Sequence, residues 1–122
     1  MTLNQDGRTN VFHLPVVGGG DGGAYTCADD MAAFWAALFD ERIVDAPSVT
    51  ALAELVSDND DDPSYGRGVW LRDGGDHVWL EGMDAGVSFM SGVRRRRGLE
   101  YFVVSNTSDG VWPLVRRIFD ED

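Results

Sequence analysis

Apolar positions change their period partway along the chain. In TCADDMAAFWAALFD, Met31, Phe34, Trp35, Leu38 and Phe39 recur at three- and four-residue steps, the spacing of one buried helix face. Ala32, Ala33, Ala36 and Ala37 leave the other side smooth enough for close packing. Thr26 is placed to cap this helix, with Asp29 and Asp30 in the first turn, where the helix dipole favours negative charge. Asp29 stands three after Thr26 and can reach back to it as a short capping-box partner. The spacing predicts a helix over 27–39. A second follows over about 47–57, with Pro47 in the first helical position, where a missing N–H costs nothing.

Beyond the acidic stretch DNDDDPS the pattern becomes strand-like. YGRGVWLRD, DHVWLEGMD, AGVSFMSGVRR and LEYFVVSN read as four β-rich runs, separated by Gly74-Gly75 and by Arg97-Gly98. DGVWPLVRRIFD returns to helical spacing through Val111, Leu114, Val115 and Ile118, with Pro113 in its first turn. Ahead of all this, VFHLPVV is apolar but interrupted by Pro15, so it reads as an extended segment lying on a core. Helices and strands are segregated along the chain. The expected class is α+β: two N-terminal helices, an antiparallel four-stranded sheet and a C-terminal helix packed on it. The expected extents are 11–57 for the helical part, 63–106 for the sheet and 109–120 for the last helix. A length of 122 residues suits one domain, or a fragment of one.

The glycine run VVGGGDGG raises a nucleotide question, because Gly18, Gly20 and Gly23 match G-x-G-x-x-G. That fingerprint needs a strand before it and a parallel strand–helix–strand unit around it. An α+β order supplies neither, and Asp21 would repel a pyrophosphate. The run is expected to be a bend leading into the first helix.

Composition removes further chemistry. All ten cations are arginine, so a Walker loop, a lysine Schiff base and a Ser-x-x-Lys pair are absent from these residues. A net charge of −11 disfavours nucleic acid, which needs clustered cations. The one basic cluster, Arg94 to Arg97, is expected to be a solvated hairpin tip. Cys27 is the single cysteine, which excludes an intrachain disulfide. No apolar run reaches the length of a membrane span, and MTLNQDGRTN has no export pattern, so the expected setting of the chain as given is cytoplasmic.

Candidate sites are few. Asp58, Asp60 and Asp62 have EF-hand spacing, but Pro63 stands at the glycine position and Val69 at the final glutamate. His13 and His77 lack a second ligand at metal spacing. A triad could be drawn from Ser88, His77 and Asp84, without a nucleophile elbow to support it. Trp35, Trp70, Trp79 and Trp112 fall on apolar faces and are expected in the core. Asn106-Thr107-Ser108 matches a glycosylation acceptor, which matters only in a secretory eukaryotic setting. No metal or cofactor is expected.

Four segments in order carry a resemblance. GDGGAYTCADDMAAFWAAL (20–38), PSYGRGVWL (63–71), LEGMDAGVSFMS (80–91) and FVVSNTSDGVWPLVRRIF (102–119) resemble segments of serine hydrolases of the penicillin-binding-protein and class C β-lactamase-like superfamily. The resemblance covers about residues 11 to 119. It implies a mechanism in which a serine attacks a lactam, ester or peptide carbonyl to form an acyl-enzyme, aided by a lysine three residues on. Neither Ser-x-x-Lys nor Tyr-x-Asn is present here, so the resemblance implies a C-terminal portion without its nucleophile. The strand around Gly82, Met83, Asp84, Ala85 and Gly86 resembles the third motif, one wall of the substrate cleft. Met83 sits where relatives often carry a lysine or histidine, which disfavours a substrate carboxylate and suits a neutral ester or amide. The partners implied are that small-molecule substrate in a complete parent and the missing N-terminal half. A homo-oligomer and a non-catalytic α+β module are the alternatives.

Overall fold

The structure is a computed structural model that describes residues 16–20, 22–57 and 63–120. Its elements run α1 (Ala28–Phe39), α2 (Ala46–Leu52), β1 (Ser64–Tyr65), β2 (Trp70–Arg72), β3 (His77–Asp84), β4 (Val87–Arg94), β5 (Leu99–Ser105) and α3 (Trp112–Asp120). The five strands form one sheet in the order β1-β2-β3-β4-β5. The class is α+β, as the segregated pattern implies. The expected strand 65–73 is instead two short strands. Gly68 takes a φ of 88°, and the Gly66 amide donates to the Val69 carbonyl at 2.8 Å, so the chain turns back on itself.

The chain groups into two compact units. The first comprises residues 28–80 and 91–102. Its core is Trp35 and Leu38 of α1, Val49 of α2, and Val69, Leu71, Val78 and Val93 of the sheet. Met31, Phe34 and Phe39 pack around it, so the three-four spacing of α1 marks the right face. The register places Leu71 opposite Val78, and Trp70 opposite Trp79. Alternation then sends Leu71 and Val78 to one face and the tryptophans to the other. That second face carries an aromatic row. Tyr65 meets Trp70 edge-on at 4.8 Å, Trp70 stacks on Trp79 at 6.4 Å, and His77 lies 4.6 Å from Trp79. Trp35 and Trp79 are buried, whereas Trp70 is only half-buried.

Two local expectations fail in α1 and α2. The Thr26 hydroxyl donates to the Cys27 carbonyl at 3.4 Å instead of accepting from an amide of α1. The second helix ends at Leu52, short of the expected 57. Its last carbonyls are taken from outside: the Arg67 amide donates to Leu52 O at 3.0 Å and Arg67 Nε to Ala51 O at 3.2 Å. Residue 57 is by then extended, and Ser57 forms a bridge with Tyr65.

Asp45 caps α2, its carboxylate accepting from the Ser48 amide at 3.1 Å. That side-chain hydrogen bond holds the Asp45 carboxyl below its usual range. A lowered native pKa contributes stability that is present above the unfolded value, about 3.9, and is lost as pH falls through the native one. Asp45→Asn is therefore expected to flatten the acid limb of the stability curve below about pH 4, read by far-UV circular dichroism. An acid limb identical to that of the parent protein would count against this cap.

Between β4 and β5, the expected solvated arginine tip is only partly that. Arg94 is buried, and the Arg95 guanidinium lies 4.9 Å from the centre of the Phe39 ring. Asp76 fixes the tip, its carbonyl accepting from the Arg95 amide at 3.0 Å and its carboxylate from the Arg96 amide at 2.8 Å. Arg95, Arg96 and Arg97 are exposed.

The second unit comprises residues 81–90, 103–122 and 1–27, as far as they are described. Val111 and Val115 of the α3 stretch are buried and Ile118 is half-buried, but Leu114 is exposed, so the stripe expected there is narrower than its spacing implies. Trp112 is half-buried. Among the described residues no helix is long and apolar enough to cross a membrane.

Candidate functional site

The segment Gly82 to Gly86, expected as one wall of a substrate cleft, lies on β3 and the turn into β4, within the second unit. Gly82 is half-buried because the Phe89 ring covers it: a Cβ there would sit 2.8 Å from Phe89 Cε1. Met83 is 64% exposed, and its neighbours Glu81 and Asp84 are exposed. Asp84 and Gly86 shape the turn. The Asp84 carboxylate accepts from the Ala85 amide at 2.6 Å, and Gly86 takes a φ of 74°, which favours glycine.

A serine further along the chain completes this turn. The Ser108 hydroxyl accepts from the Gly86 amide at 3.0 Å and donates to the Asp84 carbonyl at 3.0 Å. Ser108 thus does for the turn what a backbone partner would do. Sequence reading missed it, because 22 positions separate it from Gly86 and nothing local marks the pairing. Two amides of the turn, Ala85 and Gly86, are therefore already used inside the protein. The charges at the segment are the carboxylates of Glu81 and Asp84, and residues 81–90 contain no cation.

The triad drawn from Ser88, His77 and Asp84 is not built. Ser88 is fully buried, donating to the Thr107 carbonyl at 2.7 Å and accepting from the Val111 amide at 3.4 Å. It ties β4 to the loop ahead of α3 and has no access for an electrophile. His77 is also fully buried, with Nε2 2.7 Å from the Tyr101 hydroxyl. The Asp84 carboxylate is engaged by Ala85. Each of the three has a structural partner instead of the other two.

Other sequence candidates resolve simply. The Gly19 and Gly22 amides bond to each other's carbonyls, at 3.0 and 3.4 Å, so they are not aimed outward as a phosphate cradle. Asp21, Asp58, Asp60, Asp62 and His13 lie outside the described residues, as does most of the expected extended segment 11–17, whose described residues Val16 and Val17 are bends exposed to solvent and do not lie on a core. Among the described residues no group of three His, Cys, Asp or Glu could hold a metal ion. Cys27 is exposed and carries a free thiol.

Comparison with solved structures bears on the architecture as a whole. The chain superposes on the crystal structure of penicillin binding protein from Bacillus halodurans with a TM-score of 0.86 and 32% sequence identity, over 99% of its length. The fold is penicillin-binding-protein-like. The chain spans 39% of the length of that protein. No protein-family model matches the sequence, and no curated protein does. Within the penicillin-binding-protein-like fold, the hairpin at Gly82 to Gly86 and the Ser108 clamp are local geometry of this chain, described above from its own contacts.

Proposed function

We propose that this chain is the C-terminal part of a β-lactamase-like serine hydrolase, without catalytic activity on its own. One observation carries the reading. The likeness to a penicillin binding protein extends over 99% of this chain but 39% of that protein, and the 122 residues contain no lysine from which to build Ser-x-x-Lys. The buried and hydrogen-bonded state of Ser88 adds support, since it removes the serine a triad would have used. In a complete parent the segment Gly82 to Gly86 forms one wall of the substrate cleft. With Met83 exposed in place of a cation, that wall takes a small ester or amide that is neutral at this end. The parent's chemistry is acyl transfer through a serine supplied by the remaining part of the fold.

Intact mass spectrometry with a fluorophosphonate probe tests this. The folded 122-residue chain is expected to gain no adduct after prolonged incubation. Stoichiometric labelling of one serine would overturn the proposal, because the nucleophile would then lie within these residues.

A further inference from the structure

The turn between β2 and β3 is built on an Asp-Gly pair in an unusual backbone. Asp73, Gly74 and Gly75 all take positive φ, at 55°, 65° and 84°. Glycine adopts that region freely, whereas any other L-residue there brings its Cβ against the following carbonyl oxygen. Asp73 is therefore a strained position. It is also an open one. Asp73 and Gly74 are exposed, and a Cβ added at Gly74 would meet nothing within 4 Å. Among the described residues the Asp73 carboxylate makes no hydrogen bond or ion pair, and the Gly74 amide donates to no acceptor. A carboxyl carbon and the next residue's nitrogen thus stand side by side, with neither held by another group. Asp109-Gly110 is built differently: Asp109 does not take positive φ, and a Cβ at Gly110 would meet Ser105 Oγ, Ser105 Cβ and Thr107 Oγ1.

We propose that Asp73-Gly74 is a site of spontaneous aspartate isomerisation in the folded protein. The Gly74 nitrogen attacks Asp73 Cγ and closes a five-membered imide. One carboxylate oxygen leaves as water, taking the amide proton and one proton from solvent. Water then opens the ring. Opening at Cγ restores aspartate, and opening at the α-carbonyl leaves Gly74 bonded to Cγ, which is isoaspartate. In that product the chain runs through Cβ, so the clash of an L-residue at positive φ is gone. The backbone is also one atom longer just ahead of Asp76. Asp76 donates its amide to the Asp73 carbonyl at 3.4 Å and holds the Arg95 and Arg96 amides at 3.0 and 2.8 Å, so isomerisation loosens the arginine tip. The site does not depend on the hydrolase reading.

The folded chain, held at neutral pH and physiological temperature in heavy-oxygen water, tests this by peptide mapping with electron-transfer fragmentation. Isoaspartate and heavy oxygen are expected at residue 73 about tenfold faster than at residue 109, the rate equivalent of the strain at a non-glycine positive φ. In urea the two rates are expected to converge. Equal rates in the folded chain overturn the proposal, and a difference that persists in urea overturns the part given to the turn. Asp73→Gly removes the carboxylate and keeps a residue that accepts a φ of 55°. Hydrogen exchange at the Arg95 and Arg96 amides is expected to quicken as the parent chain ages and to stay constant in Asp73→Gly. The same quickening in both chains overturns the link to the tip.

Discussion

Replacing Trp35 with alanine is expected to cost about 3–5 kcal/mol, the range for deleting a buried aromatic side chain. The indole is 1% exposed and sits at the centre of its unit's core, among Leu38, Val49, Val69, Leu71, Val78 and Val93. Phe39 stacks on it at 6.0 Å and Phe34 meets it edge-on at 5.2 Å, so both lose a face when it goes. Its Nε1 also donates to Ser91 Oγ at 2.8 Å, fastening α1 to β4. A small domain has about 5–15 kcal/mol in total, so the variant is expected to be largely unfolded near 40 °C. Trp35→Phe separates the two contributions. It keeps an aromatic ring and removes the donor, and is expected to cost about 1–3 kcal/mol by urea titration. If Trp35→Ala and Trp35→Phe unfold at the same urea concentration, packing is not the main term.

The sequence made the faces legible and left most of the joints hidden. The three-four spacing from Met31 to Phe39 marks α1 to within one residue, because an amphipathic helix writes its buried face into its period. The β-rich run DHVWLEGMD likewise marks β3, which spans His77–Asp84. What escaped were outcomes decided by partners far along the chain. The second helix stops at Leu52 because Arg67, fifteen positions on, takes its carbonyl. The Trp35–Ser91 bond spans 56 positions, and Ser108 closes a turn that belongs to β3 and β4. Serine is common and locally neutral, so neither role leaves a pattern. The break at Gly66 to Gly68 could have been read, since two glycines two apart inside a strand-like run mark a bend. At the candidate segment, motif order in the sequence proposes Gly82 to Gly86, whereas the Ser108 clamp on its turn and the burial of Ser88 needed coordinates.

Gly92 is where the smallest substitution should do the most damage. It sits in β4 beside Ser91, with no room for a side chain. A Cβ added there would lie 2.6 Å from Trp79 Cβ, 2.6 Å from the Tyr101 hydroxyl and 2.7 Å from the Val78 carbonyl. Real Cβ atoms do not approach that closely, so something must shift. None of the three neighbours is free to move. Val78 O is backbone of β3, and Trp79 is 2% exposed and stacked on Trp70. Tyr101 holds His77 through a 2.7 Å hydrogen bond in a fully buried position. Moving its hydroxyl costs that bond as well as the packing, and a buried polar group left unpaired costs about 1–3 kcal/mol. Added to an overpacking penalty of about 1–3 kcal/mol, Gly92→Ala is expected to lose roughly 2–6 kcal/mol, measured by urea titration. Gly20→Ala, where a Cβ meets nothing within 4 Å, is the control and is expected to stay close to the parent. Gly92→Ala with Tyr101→Phe removes one of the three clashes, the hydroxyl. If that clash dominates, the double variant is more stable than the two single losses added together. Additive losses would instead place the strain on the Val78 carbonyl and Trp79, which no side-chain change can relieve.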